Sequence, residues 1–188
     1  MKLQELIIHS NKIGTEGFST LMMRLKSNNK IRFLNISRNN IADNLKKFKT
    51  VQKFLTLNKT LEVLNLSHCN LDEFTGAMIG RGLRGNRNLQ SLILKGNPIK
   101  EGVLEIAKAF IGNKIALCIK ELDLSKCQIH SEDITSEFFT MIKSTYTTLK
   151  TLNLRENFIK PSAGEQILEA LKVNKTLTKV NLDYNPIS

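Results

Sequence analysis

No stretch of this chain is apolar for anything near the ~20 residues that a membrane-spanning helix needs. Its three prolines and ten glycines are scattered, and no segment has the composition of a linker. Cysteine is scarce too. Cys69, Cys118 and Cys127 are an odd number without the spacing of a disulfide framework. They read as free thiols, which favours a reducing compartment. Two Asn-x-Ser sequons, Asn35-Ile36-Ser37 and Asn65-Leu66-Ser67, would expose a secreted protein to sugars on a strand. An intracellular protein is the expectation.

Chemistry-bearing patterns are equally thin. His68 adjoins Cys69 and His130 lies three residues after Cys127, but no C-x-x-C or H-x-x-x-H spacing occurs. Gly76, Gly80, Gly82 and Gly85 lie in or after a helical stretch, and no G-K-[ST] follows a strand, so no phosphate loop is present. Gly80 and Gly82 read instead as positions of close helix packing. Neither catalytic residues, metal ligands, a cofactor nor a small-molecule substrate is expected.

What the chain does have is one phrase written seven times, L-x-x-L-x-L-x-x-N-x-I. The copies start at Leu3, Ile31, Leu61, Leu89, Ile119, Leu149 and Leu177, spaced 28, 30, 28, 30, 30 and 28 residues apart. Within each copy apolar and other residues alternate, as in a strand with one buried face. Apolar pairs four residues apart fall at a similar place in every interval: Leu21/Leu25, Val51/Leu55, Ile79/Leu83, Ile106/Phe110, Phe138/Ile142 and Ile167/Leu171. That spacing makes one face of a helix. Strand, helix, strand at a fixed period predicts a parallel sheet with helical crossovers. No unit can bury its own apolar face, so stacking supplies one continuous core. The residue written N is Asn in five copies and Cys in Cys69 and Cys127, where a buried amide is expected to bond a neighbouring turn. Ser162 and Glu165, after Pro161, read as a capping box.

The phrase, together with Gly76-Ala77-Met78-Ile79 and the run from Ala163 to Leu177, resembles the ribonuclease-inhibitor-like class of leucine-rich repeats. The run from Ala163 also resembles the tropomodulin C-terminal repeats and those of NOD-like receptors. The resemblance covers the whole chain. It implies an α/β solenoid, a horseshoe with parallel strands on the concave face and α-helices on the convex face. Residues 1–188 then form one domain of about seven repeats. Solenoids carry polar capping units, and none is written at either end, so the expectation is a segment of a longer chain or ends covered by neighbours. Members of the class include inhibitors, GTPase activators, actin-cap proteins and axonemal subunits, so fold leaves function open.

Charge and the outward strand positions carry the functional expectation. The net charge is +11, and residues 24–100 hold all of the excess, with 15 basic and 4 acidic side chains. Lys46, Lys49 and Lys53 share the face of the second helix opposite Val51 and Leu55, and Arg81 and Arg84 sit on the outer face of the next. Together they predict a basic convex patch for an acidic partner. Ile7, Phe33, Val63 and Ile93 place apolar side chains on four consecutive strands, an expected concave protein-binding patch. The resulting expectation is a non-enzymatic scaffold within a large intracellular assembly. A ciliary or axonemal, microtubule-associated setting with acidic tubulin tails is the specific form considered. The alternatives are a GTPase-activating regulator of the Ran-activator type and a basic nucleic-acid-binding module. The latter is less favoured because the patch has no interleaved exposed aromatics, no RNA-module motif and no zinc module.

Overall fold

Each phrase opens a three-residue strand in the computed structural model, which describes residues 2–111, 117–145 and 147–187. The strands are β1 (Glu5–Ile7), β2 (Phe33–Asn35), β3 (Val63–Asn65), β4 (Ser91–Ile93), β5 (Glu121–Asp123), β6 (Thr151–Asn153) and β7 (Lys179–Asn181). They form one parallel sheet in sequence order, β1 to β7. The register pairs like positions of the repeat, so that Leu34 sits beside Leu64 and Leu64 beside Leu92. The helices between them are α1 (Gly14–Leu25), α2 (Leu45–Leu57), α3 (Glu73–Leu83), α4 (Val103–Ile111), α5 (Ser136–Lys143) and α6 (Pro161–Val173). The leucine-rich-repeat solenoid expected from the sequence is what the chain forms.

The core lies between sheet and helices. The inward strand residues Leu34, Leu64, Leu92, Leu122 and Leu152 are fully buried, as are Val51, Ile79 and Ile142 from the helix pairs. Phe18 and Phe48 join α1 to α2 with ring centroids 5.9 Å apart. Burial is one continuous cluster along the solenoid, because each repeat covers the apolar flank of the one before it.

Two ladders of asparagine satisfy the backbone groups that the turns leave unpaired. The first is the Asn of the phrase. Asn157 accepts the N–H groups of Cys127 (2.9 Å) and Ile129 (3.1 Å) in the preceding repeat. Its amide donates to the carbonyls of Leu124 (2.9 Å) and Leu154 (2.8 Å). Asn39 bridges in the same way. A thiol can donate but is a weak acceptor, and the two cysteine repeats adjust accordingly. The Cys69 and Cys127 thiols donate to the Ile36 and Leu94 carbonyls, both at 3.4 Å. The N–H groups of Ile41 and Lys100 donate to the backbone carbonyls of Cys69 and Cys127 instead. Asn70 and Gln128, the residues after each cysteine, take positive φ of 60° and 54°.

The second ladder lies three residues before the phrase. Asn58 accepts from Thr60 N–H (3.0 Å) and Leu61 N–H (2.8 Å), and its amide donates to Leu25 O (2.9 Å), a terminal carbonyl of α1. Asn86 and Asn174 cap the helix ends of their predecessors in the same manner. Ala116 and Tyr146 hold this slot in two repeats and lie outside the described residues.

Helix α3 is pinched between its neighbours, and this is where the glycines act. A Cβ on Gly80 would lie 2.3 Å from the Glu105 backbone carbon of α4, and one on Gly82 would lie 3.0 Å from the Gln52 carbonyl of α2. The close-packing role expected of both residues is therefore realised, one toward each side. The capping box is a correction. Helix α6 begins at Pro161, with Lys160 in the N-cap position and no side-chain cap bond. Ser162 lies inside the first turn, because the φ of Pro161 already suits the first helical position.

Candidate protein-binding surfaces

The outward positions of the strands form columns across the sheet. Phe33 pairs in register with Val63, and Ile7 pairs with Asn35. Asn65 pairs with Ile93. The four apolar residues of the expected patch therefore zigzag. Ile7 is diagonal to Phe33, Phe33 directly beside Val63, and Val63 diagonal to Ile93. Ile7 is 55% exposed, and the other three are half-buried. The structure brings the four together on one face, interleaved with Asn35 and Asn65 rather than packed as an unbroken apolar strip.

Those asparagines have a job within the chain. Asn35 accepts the N–H of Ser37 (3.0 Å), and Asn65 accepts both the N–H (2.9 Å) and the hydroxyl (2.7 Å) of Ser67. Asp123, Asn153 and Asn181 make the same bond two residues ahead. In these five copies the Asx turn leads into a left-handed residue, Arg38, His68, Lys126, Glu156 or Tyr184, while Ser10 and Gly96 take the same conformation after Ile7 and Ile93 without it. The Asn-x-Ser pattern of the two sequons is thus the turn that ends β2 and β3.

The rim beyond these turns is charged. Burial lowers the His68 pKa, and the cations Arg38, Lys95 and Lys126 lower it further. Lys126 (2.7 Å) and Arg155 (3.1 Å) both reach Glu156. The hydrogen bond from Lys126 leads in holding that carboxyl below its ordinary pKa. Arg155 also lies over the Tyr184 ring, 4.5 Å from its centroid.

On the helical face, Lys46, Lys49 and Lys53 are exposed on α2, opposite buried Phe48, Val51 and Leu55. This helix contains no acidic residue. Its first turn carries cations at the positive end of the helix dipole, an unfavourable placement. Asn44 caps it by accepting the N–H of Lys47, whose ammonium pairs with Glu16 of α1. Arg81 and Arg84 are placed differently from the three lysines. Both reach Glu105 of α4, at 3.5 Å and 2.6 Å, with Lys108 at 3.4 Å from the same carboxylate. They join α3 to α4 as well as facing solvent.

Among the described residues no group of three or more His, Cys, Asp or Glu side chains could hold a metal ion. His130 stacks on Phe158 with centroids 4.7 Å apart, and Cys69 and Cys127 are buried in the core. No helix among the described residues is long and apolar enough to cross a membrane.

Comparison with known families agrees with this geometry. A "Leucine Rich repeat" family model matches residues 1–22, 27–44, 117–136 and 173–188, and a second, "Leucine Rich Repeat", matches 60–80. The chain belongs to the leucine-rich-repeat family. Across 182 residues this leucine-rich-repeat chain is 25% identical to "NACHT, LRR and PYD domains-containing protein 5" of Homo sapiens. The match covers 96% of this chain, which spans only 15% of the relative's length. Leucine-rich-repeat domains generally mediate protein–protein interaction.

One surface is absent from the sequence reading. Side chains flanking the start of each strand, one and two residues before the phrase and one after its first residue, converge on the edge of the sheet. Arg32, Lys59, Arg87 and Lys120 share a groove there with Glu62 and Cys118. The signal was in the sequence, but only when charges are sorted by position within the repeat rather than along the chain.

Proposed function

We propose that this leucine-rich-repeat chain is a non-enzymatic protein-binding module whose concave apolar patch seats the partner. The observation that carries the proposal is the in-register pairing of Phe33 with Val63, flanked diagonally by Ile7 and Ile93. Four adjacent strands thereby offer apolar side chains amid the Asx-turn asparagines and the charged rim, the arrangement of an apolar interface centre with polar surroundings. The α2 lysines, with Arg81 and Arg84, form a second surface for an acidic partner. Their support is the unfavourable placement of cations in the first turn of a helix without a single acid.

In its wider form the proposal makes the chain a subunit of a large intracellular assembly. An acidic surface such as a tubulin tail on a ciliary or axonemal neighbour would meet the basic charge. The +11 net charge and the free thiols support that setting.

Affinity capture from native extract tests the concave reading, with Phe33→Ala and Val63→Thr set against the unaltered chain. The expected result is loss of a defined set of proteins by both variants. Their stability should stay within roughly 1 kcal/mol of the unaltered chain, as is usual for partly exposed positions. Equal capture by the folded variants would remove the patch as the binding surface.

A further inference from the structure

We infer that the sheet edge at the strand N-termini is a binding site for an extended acidic peptide segment of a partner protein. The site is separate from both the concave patch and the α2 lysines. Its scaffold is a backbone ladder. Glu62 N–H donates to Arg32 O, Gln90 N–H to Glu62 O, Lys120 N–H to Gln90 O and Lys150 N–H to Lys120 O, each at 2.7 or 2.8 Å. Side chains at this edge are therefore repeated once per strand, at the ~4.8 Å spacing of a sheet.

The charge on this edge is almost all of one sign. Arg32, Lys59, Arg87 and Lys120 line the central groove. Lys2 and Lys30 continue the row on one side, and Lys150 and Lys175 on the other. Among the described residues at these positions Glu62 is the one carboxylate, and it pairs with Arg32. The helix C-termini also point here, and Arg87 donates to Arg84 O (3.1 Å) and Asn86 O (2.7 Å) at the end of α3. Cations there are partly explained by helix dipoles. The six α-helices among the described residues supply about three negative charges at roughly half a charge each. Eight cations against one carboxylate exceed that by about four, so the dipoles alone leave the edge strongly positive.

Shape and lining favour a peptide over other polyanions. The groove holds about 280 Å³, at the lower bound of small-molecule pockets but suited to side chains of a chain laid across it. Thr60, Asn88 and Gln90 add neutral donors and acceptors between the cations. Among the described residues no aromatic side chain lines the groove, and these residues offer none of the stacking platforms that single-stranded nucleic acid uses. From β1 to β7 the row runs ~29 Å, which an extended segment of about nine residues would span.

Anisotropy of a labelled nona-glutamate peptide, read against rising salt, tests the inference. Lys59→Glu/Lys120→Glu/Lys150→Glu reverses three exposed edge charges, and Lys46→Glu/Lys49→Glu/Lys53→Glu makes the same net change on α2. Circular dichroism melts confirm that both fold. The edge variant should bind roughly tenfold more weakly or worse, and the α2 variant within about threefold of the unaltered chain. Equal losses would show that the peptide responds to net charge alone, and would overturn the site. Cys118, half-buried in the groove, supplies the second readout, because its alkylation by iodoacetamide should slow when the peptide is bound. Unchanged labelling at saturating peptide would place the peptide elsewhere. An oligonucleotide or an anionic vesicle that displaces the peptide from the edge at lower charge concentration would replace the peptide reading. Loss of this binding leaves the Phe33 test unaffected, so the two conclusions can fail separately.

Discussion

Asn97 holds Cys69 in place across a repeat boundary: its side-chain carbonyl accepts the Cys69 N–H at 2.8 Å and the Leu71 N–H at 3.1 Å. The same side chain donates to Leu66 O and Leu94 O at 2.8 and 2.6 Å. One fully buried amide thus satisfies four backbone groups in two adjacent repeats. The cysteine it holds makes the weaker version of that bridge toward the repeat before. The coupling between neighbours is what makes a solenoid cooperative rather than a string of independent units.

Removing that amide should be costly. Asn97→Ala strands several buried backbone groups at about 1–3 kcal/mol each, so a loss of about 3 kcal/mol or more is expected in urea unfolding. Asn11→Ala provides the contrast, because the side chain of exposed Asn11 donates within its own repeat, to Ile8 O and His9 O. Its loss should stay below about 1 kcal/mol. Comparable losses at the two positions would mean that the ladder is not what couples the repeats.

Gly80→Ala should destabilise by about 3 kcal/mol, near the upper range for overpacking, because the added methyl meets the Glu105 backbone rather than a movable side chain. Gly14→Ala is the matched case. Its φ is +61° with nothing within 4 Å, so only the left-handed penalty of about 1 kcal/mol applies. Thermal melts of the two variants decide whether α3 and α4 need that contact.

The thiols should divide by environment. Burial pushes Cys69 to about 11 and Cys127 to about 12. Both should resist alkylation in the folded chain while Cys118 reacts, as counted by mass spectrometry under native conditions. The stability consequence has a definite sign. An unfolded thiol ionises near pH 8.5, whereas the folded state keeps these two protonated. Their contribution is complete below about pH 8.5 and is lost as pH rises toward about 11–12. Cys69→Ala should flatten the alkaline limb of the stability profile, and an unchanged limb would show that other groups control it.

The inward leucines, the helix pairs and the asparagine of the phrase were all legible because their period matches the repeat. The reading of Gly80 and Gly82 as close-packing positions rested instead on glycines set within a helical stretch, and it holds. The second ladder, Asn58, Asn86 and Asn174, was equally periodic but lay outside the phrase. Ser162 misled because its spacing to Glu165 fits a capping box, while Pro161 had already fixed where the helix starts. Arg81 and Arg84 looked like free surface charge, since Glu105 lies more than twenty positions along the chain yet only one helix away.

The sequence by itself determined the architecture, because a fixed period makes every repeat solve the same burial problem in the same way. Leu34, Leu64 and Leu92 could only be core once Phe33, Val63 and Ser91 alternate with them. The tertiary structure decided which surfaces exist, because stacking brings together residues that are 28 or 30 positions apart. Lys59, Arg87 and Lys120 belong to three repeats and carry no common motif. They become one surface only when the parallel register aligns their strands along one edge, where side chains a few ångströms apart share a single electrostatic field.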